Sequence, residues 1–255
     1  MTARRLFWPG FYGLVLLAWA ALWAMGQELR GFAAYGPEFW LALCRAGAAD
    51  LAFAPLVAMW AVMAAAMMAP TFVPALATFL GLPARPGALA EAWALVAGYL
   101  ALWAGASVLF AGAQWGLARQ GWLAPDGRSL SGLFTAALFL LAGGYQFTAL
   151  KMGCLTRCRL PLTYFMEHWR PGLRPAFAIG LRLGADCLGC CWALMALAFV
   201  GGMGNLLWMG LATAVMVLEK LPEVGRPVTR PLGWVLVAAG VVTAVVSAGL
   251  ALAGA

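Results

Sequence analysis

The sequence has few charged residues and no long polar segment. Charged residues make up 10% of its 255 residues, whereas hydrophobic residues make up 65%. A soluble domain usually carries about a quarter charged residues, so this scarcity excludes an ordinary soluble protein. Because no polar stretch exceeds a long loop, we expect residues 1–255 to form a single integral membrane domain without a separate soluble part.

Runs of basic residues within a polar domain are also missing. The formal net charge is +7, but the lysines and arginines lie in loops between apolar segments, as the positive-inside rule describes. We therefore expect contacts with a lipid bilayer and no nucleic-acid partner. The six cysteines do not indicate a secreted disulfide scaffold, because such scaffolds are small and rich in loops.

The apolar runs predict about seven transmembrane helices, since a span needs about 20 residues. These runs cover residues 7–26, 51–69, 90–115, 131–152, 177–200, 204–219 and 232–254. Proline and glycine residues separate most of them. The predicted fold class is therefore an all-α polytopic helix bundle. Its first run is interpreted as an uncleaved transmembrane helix rather than a signal peptide.

The distribution of basic residues predicts the orientation of the chain. With the N-terminus inside, 12 of the 16 lysines and arginines fall on the inner side and 4 on the outer side. The positive-inside rule then places the N-terminus in the cytoplasm and the C-terminus outside. We expect a multi-pass protein of an inner (plasma) membrane.

A short interfacial helix is predicted near residues 161–169, where Pro161 is well placed to start it. Its apolar face consists of Leu162, Phe165, Met166 and Trp169. The segment also contains His168, the one histidine in the sequence. This histidine is interpreted as an interfacial polar residue rather than a metal ligand.

The third predicted span contains a glycine repeat. Gly98, Gly105 and Gly112 recur every seven residues. Glycine allows membrane helices to approach one another closely. The repeat therefore predicts a face that lies against another helix.

Five of the six cysteines form two closely spaced groups at the ends of apolar segments. Cys187 lies one helical turn from both Cys190 and Cys191, and Cys154 lies one turn from Cys158. Under the predicted orientation, both groups belong to the cytoplasmic third of the membrane. The sequence therefore predicts that the five sulfurs converge.

Methionines accompany these cysteines. Met67 and Met68 close the second predicted span at the same depth, and Met195 follows Cys191 by one helical turn. Thiolates together with thioethers select soft metals, above all Cu(I), whereas four thiolates alone suit zinc or an iron–sulfur cluster equally well. The predicted metal ligands are Cys154, Cys158, Cys187, Cys190, Cys191, Met67, Met68 and Met195.

Two ionisable residues lie just before the second cysteine group. Arg182 and Asp186 are spaced to pair across one helical turn, provided that their helix begins well before them. An ionisable pair inside a membrane span is by default an indication of function.

The sixth predicted span ends in a charged pair of neighbours. Glu219 is predicted to pair with Lys151 or Arg159 and to shape the sulfur site without binding the metal, because a carboxylate is a hard ligand. Lys220 is predicted to extend to the membrane surface, where its charge costs little.

Several stretches resemble a known family. They are residues 66–70, 144–146, 150–151, 154–159, 187–195, 202–205 and 219–220. On these pieces the sequence resembles a bacterial family of predicted metal-binding integral membrane proteins of unknown function, over about residues 55–221. The resemblance implies membrane location and metal binding, but it specifies neither the metal nor a reaction.

Three functions remain open from the sequence. The first is transport or delivery of a soft metal, above all copper(I), through a cytoplasmic-side Cys/Met cluster, with a metallochaperone or metalloprotein as partner. The second is an enzyme, a membrane thiol–disulfide oxidoreductase that uses the Cys187/Cys190 pair and passes electrons to a quinone. The third is a structural cysteine site with zinc or no metal. The sequence favours the first, which is not an enzyme.

Overall fold

The computed structural model describes residues 2–33, 53–82 and 86–253. In chain order its helices are α1 Thr2–Ala33, α2 Phe53–Thr71, α3 Val73–Leu80, α4 Ala88–Arg119, α5 Gly132–Tyr145, α6 Ala149–Arg159, α7 Pro161–His168, α8 Leu173–Ala196, α9 Ala198–Gly201, α10 Leu206–Lys220 and α11 Gly225–Ala253. These ranges contain no strand, so the all-α fold class is confirmed. Cys44, which the sequence indicates as a packing residue, lies outside the described residues.

The described helices support fewer membrane spans than the seven predicted. Five are long and apolar enough to cross a membrane, and they correspond to five of the predicted spans. α5 and α6 make a sixth if they are counted together, although they are bent by 63° where a straight span was expected. α10 has 15 residues, about 22 Å in length, which is shorter than the hydrocarbon core of about 30 Å. The described helices therefore indicate a multi-pass membrane protein.

The bend between α5 and α6 has a local cause. Thr148 has an extended backbone and caps α6, because its Oγ1 accepts a hydrogen bond from the backbone N–H of Lys151 at 3.3 Å. An N-cap starts a new helix rather than continuing the previous one. A prediction from hydropathy alone does not register this cap, and it therefore merged the two helices.

α4 and α8 cross with their backbones in contact. A Cβ built at Gly98 would lie 2.1 Å from a carbonyl oxygen of α8, and one built at Gly180 would lie 2.1 Å from a carbonyl oxygen of α4. The predicted close contact is therefore correct at Gly98. Among the described residues it is not found at Gly105 and Gly112, where a Cβ would meet none of their atoms within 4 Å. Helices that cross at an angle touch over only a few turns, so a heptad repeat can extend beyond the contact.

Gly180→Ala is expected to destabilise the protein by about 1–3 kcal/mol, because the added methyl group must push two backbones apart. The matched control is Gly105→Ala, where the methyl group enters open space and alanine is the better helix former. Thermal unfolding in detergent measures both variants. Equal melting temperatures for the two would contradict the observed crossing.

The bundle has two distinguishable ends. At the first, named the α7 end, α4 and α8 begin side by side and the N–H of Gly172 donates to Glu91 Oε1 at 2.7 Å. At the second, named the loop end, residues 120–131 connect α4 to α5, and the N–H of Met203 donates to the Asp126 carbonyl at 2.9 Å. α1 starts beside the first turns of α4, and α11 finishes beside the start of α5.

The predicted interfacial helix is present as α7, Pro161–His168. Phe165 is buried and packs against Phe79 of α3, with ring centroids 5.7 Å apart. Leu162 and Met166 point outward and are exposed. The predicted apolar face is thus divided between contact with the bundle and an outer surface, as expected for a helix that lies along a membrane.

Candidate metal centre

Three cysteines lie near the middle of α8 rather than at its start. The helix begins at Leu173, which puts Cys187 about 21 Å along its axis. The positive end of a helix dipole acts only within the first turn, so it does not reach this cysteine. Cys190 and Cys191 follow on the same face, and each of the three side chains is 1% exposed.

The three sulfurs form a compact group, named here the α8 sulfur group (Cys187, Cys190 and Cys191). Their Sγ atoms all lie within 4.8 Å of one another, and those of Cys190 and Cys191 are 3.3 Å apart. Two sulfurs bound to one ion at about 2.3 Å can be at most about 4.6 Å apart. The group therefore needs only small side-chain adjustments to bind a single ion.

Side chains from three other helices surround Cys187. The ammonium of Lys220, at the end of α10, donates to its Sγ at 2.8 Å. The hydroxyl of Tyr99, on α4, lies 2.9 Å from the same sulfur. On α2, Met68 Sδ and Thr71 Oγ1 each lie 3.9 Å from it. Cys187 is thus the point at which α2, α4, α8 and α10 meet.

The position of Lys220 corrects its predicted role. We expected its side chain to reach the membrane surface, but it is 3% exposed. Its ammonium donates inward to Cys187 and to the hydroxyl of Thr71, at 2.7 Å from the latter. Because a buried cation needs a counter-charge, this arrangement favours a thiolate at Cys187.

A buried ion pair lies next to Lys220. Lys151 Nζ and Glu219 Oε2 are 2.9 Å apart, and their side chains are 0% and 2% exposed. Arg159 donates from Nε to the backbone carbonyl of Glu219 at 2.8 Å. The predicted pairing of Glu219 with Lys151 is confirmed, and it joins the end of α10 to α6.

The two cysteines of α6 approach α8 but lie outside the α8 sulfur group. Cys158 is half-buried and, with Cys187, lines a cavity of about 10 Å³, which is room for one water-sized species. Cys154 meets α8 at Gly189, where its Sγ lies 2.7 Å from the position of a built Cβ. α6 therefore brings Cys158 to the edge of the site, while Cys154 packs beside it.

The predicted methionine ligands occupy different positions. Met68 is the thioether beside Cys187. Met67 and Met195 are both buried in the hydrophobic core that surrounds the group. Met68 is therefore the methionine placed to complete a mixed thiolate–thioether site.

A polar cleft of about 580 Å³ opens between α6, α7 and α8. It is lined by Thr156, Arg157, Leu160, Thr163, Tyr164, Glu167, His168, Arg182, Ala185 and Asp186. Within it Asp186 pairs with Arg157 of α6 at 2.8 Å, whereas the spacing predicted a pair with Arg182. The neighbouring helix brings a guanidinium close enough to replace the local partner. The cleft thus reaches the residue that directly precedes Cys187.

The region of the chain that contains these sulfurs matches a known protein family. The sequence model of the PpoB2 family, described as a copper chaperone, matches residues 57–243, well over half of the chain. The chain belongs to the PpoB2 family. No curated protein and no solved structure matches it. The matched region includes the α8 sulfur group, and the family description adds copper to a resemblance that specified no metal.

Sequence reasoning missed Thr71 and Tyr99 beside Cys187, and it misplaced the side chain of Lys220. Thr71, Tyr99 and Lys220 come from three helices that are far apart in the sequence. Two signals could have found them. Tyr99 is a polar residue within a long apolar run, and Lys220 ends a run that is too short to cross a membrane alone.

Proposed function

We propose that this protein is a membrane copper chaperone that binds one Cu(I) ion at the α8 sulfur group and delivers it to a metallochaperone or metalloprotein. The supporting observation is three buried sulfurs within 4.8 Å in a chain of a copper-chaperone family. Soft thiolate and thioether donors select Cu(I). The proposed ligands are Cys187, Cys190 and Cys191, with the thioether of Met68 beside them.

The position of Cys158 beside the α8 sulfur group supports delivery of Cu(I) to a partner. Cys158 lines the same small cavity as Cys187, and it is half-buried whereas the three cysteines of the group are fully buried. The sulfur of Cys158 can therefore bind Cu(I) next, as the ion moves from the α8 sulfur group to the polar cleft. There, a thiolate of the partner takes over the ion. By the positive-inside rule we assign the α7 end, rich in arginine, to the cytoplasmic face of a bacterial inner membrane.

Metal analysis of the purified protein tests this proposal. Protein prepared without added metal and then titrated with Cu(I) against a chromophoric chelator is expected to bind about one copper ion per chain, because the described part of the chain has one cluster of three cysteine sulfurs. Elemental analysis should show copper in excess of zinc and iron. Purified protein that retains zinc and takes up no Cu(I) would contradict the proposal.

The second candidate function is a thiol–disulfide oxidoreductase. The observation that favours it is the Lys220 ammonium at 2.8 Å from Cys187 Sγ, since a nearby cation stabilises the reactive thiolate. The reaction would oxidise the thiols of Cys187 and Cys190 to a disulfide and transfer two electrons and two protons to a quinone. Mass spectrometry after incubation with a quinone tests it. A dithiol that stays reduced while the protein binds copper decides against it.

A further inference from the structure

We infer that buried methionines form a path by which Cu(I) reaches the α8 sulfur group from the loop end. This inference rests on the proposed function and adds the route of entry. The methionine path consists of Met63, Met67, Met68, Met203, Met209 and Met216. Each of these side chains is at most 5% exposed. They come from α2, from α10 and from the segment between α9 and α10.

The path begins beside an exposed carboxylate. The Asp126 side chain is 44% exposed, and its partner Arg128 lies at a long distance of 4.0 Å. The backbone carbonyl of Asp126 accepts from the N–H of Met203 at 2.9 Å. The Met203 side chain packs against Gly127, with its Cγ 2.9 Å from the position of a built Cβ. A surface carboxylate attracts cations, and here a buried thioether lies directly next to its loop.

α2 connects this entrance to the sulfur group. The side chains of Met203 and Gln114 both approach Gly127, and Gln114 accepts a hydrogen bond from Trp60 Nε1 at 2.7 Å. From Trp60 the buried side of α2 continues to Met63 and Met67, at helical spacings of three and four residues, and Met68 directly follows Met67. Met68 lies 3.9 Å from the nearest sulfur of the group. The whole distance along α2 is about 12 Å.

α10 supplies a second line of thioethers. Met209 and Met216 are buried and lie seven residues apart, which places them on one face of the helix. Met216 precedes Lys220 by one turn, and the Lys220 ammonium contacts Cys187. Both lines therefore converge on the sulfur that joins the four helices.

The chemistry of the side chains suits movement of Cu(I). A thioether is a soft ligand without charge, so it binds Cu(I) more weakly than a thiolate and does not hold it permanently. Packing alone requires only apolar volume, which leucine supplies equally well. Here the thioethers lie between a loop that carries an exposed carboxylate and a group of thiols. Met166, which is 79% exposed on α7, lies outside the path and offers a control.

The rate at which Cu(I) loads the protein from one face of a vesicle tests the methionine path. The purified full-length protein, with an affinity tag after residue 255, is reconstituted at no more than about one molecule per vesicle. Because α11 ends at the loop end, capture by the tag selects vesicles with that end outward. Cu(I) is then added as a membrane-impermeant chelator complex. Absorbance from Cu(I)–thiolate bonds reports its arrival at the sulfur group.

Met203→Leu/Met209→Leu/Met216→Leu is expected to slow loading from the loop end by at least about tenfold, because each change removes a soft ligand and raises the barrier to movement. The final copper content and the loading rate from the α7 end should equal those of the wild type. Met166→Leu should load normally from both ends. Should the triple variant fail to reconstitute, Met209→Leu and Met216→Leu provide the same comparison singly.

The outcomes separate the two proposals. A triple variant that loads from the loop end at the wild-type rate overturns the methionine path and leaves copper binding at the α8 sulfur group intact. Equal slowing at both ends also overturns the path, since it indicates damage to the site itself. A wild-type protein that binds no Cu(I) overturns the proposed function and the path together.

Discussion

Cys187→Ser is expected to weaken Cu(I) binding by more than about a hundredfold. Removing a partner of a metal ligand typically costs ten- to a hundredfold in affinity, and the loss of a direct thiolate ligand costs more. The serine hydroxyl is a poor donor for a soft ion. Competition against a chromophoric Cu(I) chelator measures the change in affinity.

Cys154→Ser is the matched control for this variant. Its sulfur packs against Gly189 and lies outside the α8 sulfur group. Copper affinity should therefore stay within about tenfold of the wild type, since tenfold is the smallest loss typical of removing a residue that contacts a metal ligand. Circular dichroism confirms that both variants keep their helices. Loss of copper in Cys154→Ser, with retention in Cys187→Ser, would move the binding site from α8 to α6.

Lys151→Met is expected to destabilise the protein by about 3–5 kcal/mol, which is the usual consequence of leaving one member of a buried ion pair alone. Glu219 is 1% exposed, and its Oε1 already has no hydrogen-bond partner in the described part of the chain. Removing Lys151 would take away the partner of Oε2 as well. Chemical denaturation in mixed micelles measures the free energy of unfolding.

The double variant Lys151→Met/Glu219→Met should recover most of this loss, because replacing both members of a buried pair by apolar residues is often neutral or stabilising. Arg157→Met serves as a second comparison. Its guanidinium is 62% exposed in the pair with Asp186, so water screens the interaction and the change in stability should be small. Equal stability of Lys151→Met and the wild type would show that the pair does not support the fold.

Most membrane helices could be predicted from hydropathy because a span requires a long apolar run, whatever its neighbours are. The bend between α5 and α6 could not, since it depends on the hydroxyl of Thr148 within an otherwise continuous run. The prediction that α10 spans the membrane failed for a related reason. Most of its 15 residues are apolar, but their number decides whether the helix crosses the membrane alone.

The α8 sulfur group could be predicted because its spacing of three and four residues lies within one helix. The relation of Cys154 and Cys158 to that group depends on how α6 packs against α8, and spacing along the sequence carries no information about packing. The direction of the Lys220 side chain could not be predicted for the same reason. Whether its ammonium turns outward to the membrane surface or inward depends on Thr71 and Cys187, which belong to other helices.

The hydrogen bonds of Cys187 have a consequence for release of the ion. Lys220 and Tyr99 approach the same sulfur that we propose as a Cu(I) ligand, so a bound ion would change their hydrogen bonds and would couple loading to the positions of α10 and α4. Occupancy and helix position are then thermodynamically linked, and the linkage is reciprocal. A protein that docks preferentially to the empty arrangement lowers the affinity for the ion as it binds. In the proposed function, docking of such a partner would itself shift the equilibrium toward release.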